Sequence, residues 1–339
     1  MTFLVPLAGD GPFWFPFATA TSPRGGVDDC KTDWWYVLTY TNNMLPFRGG
    51  DPSQASCVGW TWYLGAEFQL FLYALIGLAG YLRSRAAGVA WLGAAVLVSA
   101  LACGILSHVH GIEPSIVSQG TSKYLYFFAW TRAAPFCVGV LLGMHWHERQ
   151  RPAGERGDDD AAAAGSRVER AALALLRGAW ASEAQVWLAY AACAGLLLAV
   201  WLLPWTFIRE GDAFGGSGGW TRWQTDLYHA LNWPAFAVGL AGLVHMLISG
   251  RAPAPLAAAF SAPVFDWLAK LSFGAYIWHF MVLQIMIASF QSDLAMDRTL
   301  FVMLTVGVAF ISFGTSFVSY VVVESPLARL QNLMLAARR

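Results

Sequence analysis

Seven stretches of the chain are long, mostly apolar runs: 60–81, 86–106, 131–147, 185–208, 225–249, 264–289 and 299–323. A helix needs roughly 20 mostly apolar residues to cross the bilayer core. Each run reaches that length except the third, which does so if the aromatic approach Tyr124–Trp130 belongs to it. Strands are excluded as the spanning element, because open sheet edges cannot face lipid. The pattern predicts an all-α, polytopic membrane protein with about seven transmembrane helices. No internal repeat at a fixed period is visible, and Pro234 interrupts one span.

Composition sharpens this. Of 339 residues, 57% are apolar and 12% charged, against about 45–50% and about 25% in a soluble domain. Disorder and a secreted disulfide scaffold are excluded. Lys+Arg and Asp+Glu both number 21, so no net field attracts a nucleic acid. Seventeen Trp and 33 Gly suit membrane interfaces and close helix packing.

Lys and Arg set the expected orientation. The connections 82–85, 148–180 and 250–263 and the tail 324–339 hold 12 of them in 67 residues. The opposite set (1–59, 107–132, 209–224 and 290–298) holds 8 in 110. The richer set is expected to be cytoplasmic. That places the C-terminus in the cytoplasm and residues 1–59 in the lumen or outside. Cys30 and Cys57 both fall in that segment, where an oxidising compartment permits a disulfide; two free thiols are the alternative. Closing the loop stabilises by roughly 3–4 kcal/mol on the chain-entropy model. Cys103, Cys137 and Cys193 lie inside spans and read as small packing residues.

Something must carry residues 1–59 across. Met1–Ala20 has no basic leader, and Pro6, Gly9, Asp10, Gly11, Pro12 and Pro16 break its apolar runs. An odd number of spans ahead of Met1 is therefore expected, making this sequence part of a longer chain.

The 148–184 connection contains Asp158-Asp159-Asp160, read as a solvated loop. Ser166-Arg167-Val168-Glu169 has capping-box spacing, and Val168, Ala172, Leu175 and Leu176 share a face, predicting a short interfacial helix. Leu327, Leu330 and Met334 repeat the idea after Pro326. Gly215–Gly219 reads as a flexible loop, since a phosphate cradle would need a preceding strand and a Lys-Ser/Thr pair.

Ionisable groups inside spans are costly and mark functional candidates. Glu67 lies roughly 10 Å into the first span, at ~1.5 Å per residue. His279 lies about 14 residues, or roughly 20 Å, into the sixth, at a similar depth. Arg132 opens the third span. Asp266 and Lys270 are spaced to pair across a helical turn. Asp226 and His229 share a face at the start of the fifth span, with His245 near its other end, and Glu324 closes the seventh. His108-Val109-His110 and His145-Trp146-His147 each offer two imidazoles, too few for a zinc site; no metal is expected. By residues alone the chain is an enzyme or a transporter with a polar cluster in one leaflet.

Five blocks do more by resemblance. Cys57-Val58-Gly59-Trp60-Thr61-Trp62-Tyr63-Leu64 with Glu67-Phe68-Gln69-Leu70-Phe71 resembles a signature of the acyltransferase 3 family, in particular its nose-resistant-to-fluoxetine-like branch. Trp34-Trp35-Tyr36 through Asn42-Asn43 is similar to a stretch that this branch carries between two cysteines. Trp130-Thr131-Arg132 with Pro135, Gly139 and Gly143, Leu271-Ser272 through His279, and Glu324-Ser325-Pro326 complete the series in the same order.

The resemblance implies acyl transfer from acyl-CoA, as co-substrate rather than bound cofactor, to a hydroxyl-bearing acceptor in or across the lipid bilayer. It implies a roughly ten-span fold whose first span carries a basic residue and, about ten positions on, the principal histidine. That span would precede Met1, and residues 60–335 would be the C-terminal part of the domain. Glu67, His279 and Arg132 are then supporting catalytic residues. A transporter using the same polar cluster, or a non-catalytic membrane fragment, is the competing reading; transporters usually carry repeats or paired broken helices, and neither is found.

Overall fold

The computed structural model describes residues 29–45, 57–114, 121–152, 166–177, 182–210, 220–290 and 297–336. Eleven α-helices appear among them: α1 (Asp29–Leu38), α2 (Trp62–Arg83), α3 (Arg85–His110), α4 (Ala129–Gln150), α5 (Arg167–Arg177), α6 (Glu183–Glu210), α7 (Arg222–Ile248), α8 (Ala254–Phe260), α9 (Pro263–Ala288), α10 (Arg298–Ser319) and α11 (Ser325–Ala336). Seven are long and apolar enough to cross a membrane, the third extended back to Tyr124 by the aromatic approach and the seventh running from Arg298 to Ala336. No strand occurs among the described residues. The fold is all-α and polytopic. Asp158–Asp160 and Gly215–Gly219 lie outside the described residues.

The chain divides into two compact units. One holds Trp62–Ala252; the other holds Pro253–Arg339 with the described residues before Trp62. In the first, α3 packs on α2, α4 and α7, and α6 packs on α7. Small side chains make this possible: Ala74, Ala95 and Cys137 are buried beside Tyr81, Leu92 and Met144. Lipid is as apolar as leucine, so close van der Waals contact rather than water exclusion holds such helices together. The large aliphatic and aromatic groups point outward, Phe310 being 81% exposed, as the lipid-facing side of a membrane helix should.

Three of the long helices carry an internal proline and run on past it. Pro135, Pro204 and Pro234 all lie inside continuous helices, which corrects the expected interruption at Pro234. Neighbouring groups re-satisfy the carbonyl that a proline leaves without its usual donor. At Pro135 this is visible: Thr131 O, four residues back, accepts from the Cys103 thiol at 3.7 Å.

α4 carries into the 148–184 connection as far as Gln150, and Glu148 is fully buried. Its Oε1 accepts from the Tyr81 hydroxyl, from Arg85 Nε at 3.3 Å and from Arg151 Nη1 at 3.4 Å. The ends of α2, α3 and α4 are thereby joined at one carboxylate. The expected interfacial helix is α5, and its expected face is met at Ala172 but not at Val168; the side chains of Leu175 and Leu176 lie outside the described residues. Ala172 and Leu173 are buried and Val168 is 68% exposed. Ser166 Oγ accepts the Glu169 N–H at 3.3 Å, completing half a capping box. The carboxylate itself turns to α3, accepting from Ser84 Oγ at 2.8 Å and from the Ala86 N–H at 3.1 Å.

In the second unit α9 packs along α10. A Cβ on Gly274 would collide with Ser316 Oγ, so glycine is what lets Ser316 Oγ reach Leu271 O at 2.7 Å. Asp266 and Lys270 form no ion pair; Lys270 Nζ instead lies 5.1 Å from the centre of the Trp267 ring, where the ring face offers a cation an alternative to a carboxylate at an interface.

Candidate functional site

Arg132 sits in the first turn of α4, just past a π-helical turn at Thr121–Tyr126. Fully buried Thr131 fixes this entry, its hydroxyl meeting Leu125 O at 2.9 Å and Phe128 O at 2.8 Å. The guanidinium carbon lies 4.0 Å from the centre of the Trp233 ring, 4.5 Å from Tyr126 and 5.7 Å from Trp62. Nε donates to Tyr126 O at 3.0 Å. Ring faces within about 6 Å attract the cation by about 0.5–2 kcal/mol each. They do so without neutralising it, and no carboxylate pairs with Arg132 among the described residues.

Glu67 lies in the same unit, in the second turn of α2, and is exposed. No hydrogen bond or ion pair reaches it among the described residues. Tyr63 lies one turn before it on the same helix. The structure does not pair Glu67 with Arg132.

His279 belongs to the other unit, on α9. Its Nδ1 lies 2.6 Å from Tyr276 O. A carbonyl only accepts, so Nδ1 carries the proton and Nε2 keeps its lone pair in the neutral ring. The same stretch of α9 is clamped by Trp60: its indole N–H donates to Ile277 O at 3.0 Å, and the Tyr276 hydroxyl donates to Trp60 O at 2.7 Å. Trp60 and Phe280 rings lie 5.2 Å apart. Trp60 is anchored in turn. Cys57 is disulfide-bonded to Cys30, and Thr61 Oγ1 donates to Val58 O at 2.8 Å and accepts from Asn42 Nδ2 at 2.9 Å. Val58 has φ 54°, a strained value for a β-branched residue, and the tight turn around it is held by these bonds.

Four other histidines have partners among the described residues. His145 Nε2 lies 3.2 Å from His245 Nε2, whose Nδ1 meets Tyr190 OH at 3.0 Å. His110 stacks on Tyr124, and His229 donates through Nε2 to Glu113 O at 3.2 Å. No group of three or more His, Cys, Asp or Glu is placed to hold a metal among the described residues. Sequence reasoning found Arg132 but not its ring partners. Tyr126 is local, whereas Trp62 and Trp233 come from other helices and no spacing announces them.

Comparison with known proteins agrees with this architecture. The family model described as an acyltransferase domain, acyltransferase 3, matches residues 12–322. The chain is 25% identical to Nose resistant to fluoxetine protein 6 of Caenorhabditis elegans over 351 aligned positions, covering 97% of this chain and 37% of that protein. The chain thus spans little more than a third of the relative's length. No solved structure matches it.

Proposed function

Because the chain belongs to the acyltransferase 3 family, we propose that it moves an acyl group from acyl-CoA to a hydroxyl of an acceptor at the membrane. Attack of a hydroxyl on a thioester creates a tetrahedral oxyanion, which preorganised donors or a positive charge stabilise. Arg132 is the observation that carries the reading: a cation with no carboxylate partner among the described residues, held in place by three rings. In a low-dielectric site such a charge acts far more strongly than in water. Glu67 orients the acceptor or an imidazole, as a carboxylate does in hydrolytic triads. His279, with Nε2 left as an acceptor, takes a hydroxyl proton's hydrogen bond. None of the three is assigned the role of general base. The Arg-rich connections, including the α2–α3 turn and α5, face the cytoplasm in this scheme, where acyl-CoA resides.

The test is acyl transfer by the purified full chain in lipid nanodiscs. Free thiol released from acyl-CoA and acyl ester formed on an added alcohol should appear in equal amounts and depend on both substrates. Thiol release no greater than in protein-free nanodiscs would overturn the reading.

A further inference from the structure

α3 ends where Gly111 adopts φ 64° and returns its N–H to Ser107 O. That left-handed cap favours glycine, and the last turn it closes carries Ser107 and His108. Ser107 Oγ donates to Asp226 Oδ1 at 2.7 Å, and His108 Nδ1 lies 2.8 Å from Asp226 Oδ2. Arg222 Nη2 stands 3.1 Å from Oδ1 yet makes no hydrogen bond there among the described residues, so the contact is one of charge rather than of direction. Asp226 is thus held from three sides, with its side chain 15% exposed, while that of His108 is 71% exposed.

A carboxylate accepts only, so His108 Nδ1 carries a proton and Nε2 is the free position. This is the arrangement by which a carboxylate fixes an imidazole's tautomer and aims its other nitrogen. Exposed ion pairs contribute little to stability, and a tie between α3 and α7 would not need an aspartate braced by a buried serine and an arginine. No partner for Nε2 occurs among the described residues.

We propose that the His108–Asp226 pair is a hydroxyl-binding site for the acyl acceptor, with Nε2 accepting the hydroxyl's hydrogen bond. This rests on the acyl-transfer reading and places the acceptor at the end of the first unit where α3 finishes and α7 begins. The ligand is a polyol group, carried on a lipid headgroup or free in solution. Asp226 is a positioning residue that acts through His108.

The experiment uses the full chain in nanodiscs and reads carbethoxylation of His108 by diethyl pyrocarbonate with mass spectrometry. Above its Kd, a bound polyol should slow modification of His108 by at least about twofold and leave His147 unaffected. Protection by phosphatidylglycerol in a phosphatidylcholine disc assigns a headgroup; protection by free glycerol assigns a soluble acceptor. Protection by neither overturns the proposal. In parallel, His108→Phe keeps an aromatic ring of similar bulk and removes both ring nitrogens, so kcat/KM for the acceptor should fall about tenfold with KM for acyl-CoA unchanged. Asp226→Asn should raise the acceptor KM in the same way while kcat holds. An unchanged acceptor KM in both variants also overturns the site. If the wild type transfers no acyl group, the acyl-transfer reading falls, and the protection measurement still decides whether the site binds a polyol.

Discussion

Glu169 caps a helix to which it does not belong: its carboxylate accepts the backbone N–H of Arg85, the first residue of α3, at 2.6 Å. The Ala86 N–H and the Ser84 hydroxyl complete the contact. The first N–H groups of any helix lack partners, and the positive end of the helix dipole favours an anion there. A carboxylate from a separate amphipathic helix meets both needs, so it fastens α5 to the α2–α3 turn.

Removing that carboxylate should loosen α5. Glu169→Ala is expected to cost about 1.5–3 kcal/mol, the range for hydrogen bonds to a charged group, read as a lower unfolding midpoint of the full chain in detergent. Ser84→Ala should cost a similar amount, because Ser84 Oγ also caps α3 by accepting the Ala87 N–H at 3.2 Å.

The same contact carries a pH dependence. Burial alone would push the Glu169 carboxyl up, but the Ser84 hydroxyl, the Ala86 and Arg85 N–H groups and the Arg85 charge together hold it below its usual value. A depressed folded value means stability present above the unfolded pKa, about 4.3, and lost as pH falls through the lower folded value. The stability gap between wild type and Glu169→Gln should be full at neutral pH and close in acid below about pH 4. A gap that widens in acid would contradict the contact.

Glu67→Gln should lower acyl-transfer turnover by about tenfold or more, within the range for a group that orients a proton carrier. Asp266→Asn, at the rim of α9 and without an ion-pair partner among the described residues, should leave turnover near wild type. Steady-state rates of the two variants decide it, and equal rates in wild type and Glu67→Gln would remove Glu67 from the mechanism.

Arg132→Lys retains the charge but not the planar fork that stacks on Trp233 and Tyr126. It should reduce turnover by about tenfold to a hundredfold, less than the roughly hundredfold to thousandfold that outright loss of an oxyanion donor costs. Arg132→Met should reduce it further, with unfolding midpoints measured alongside to exclude collapse of the ring cluster.

Gly274→Ala places a methyl group against Ser316 Oγ. The α9–α10 contact should loosen at a cost of about 1–3 kcal/mol, and Ser316→Ala on the same background should recover part of it. Thermal midpoints of the two variants and the double variant form the test.

The spans were legible because the bilayer demands long apolar runs, and the positions of α2, α3, α4, α6, α7, α9 and α10 follow from that demand alone. Candidate chemistry was legible only residue by residue. A carboxylate at Glu67 or a histidine at His279 stands out because lipid makes it costly, but hydropathy does not say which way a helix is rotated. Glu67 is accordingly found exposed on its helix. Glu148, read as the start of a loop, proves to be the buried hub of three helix ends. Asp226 was grouped with His229 by sharing a helix face, whereas its nearest imidazole is His108, on another helix and 118 positions away. Contacts of that separation depend on how helices pack, which periodicity does not encode. Ser166 and Glu169 had capping-box spacing, and half of it formed, because the α3 N-terminus offered the glutamate more N–H donors than its own helix could.

The bonds from Trp60 to Tyr276 and Ile277 set a timetable for synthesis. Chains grow at about 5–20 residues per second, so Trp60 emerges roughly 10–40 s before the helix turn it must grip. The second unit begins before the first and is finished after it, with the whole of Trp62–Ala252 made in between. Throughout that interval the Trp60 indole N–H has no native partner, and water, lipid headgroups or an assembly factor must serve in its place. A ribosome that stalls between the first and sixth spans would therefore leave this tryptophan without the carbonyl and hydroxyl it meets in the finished fold.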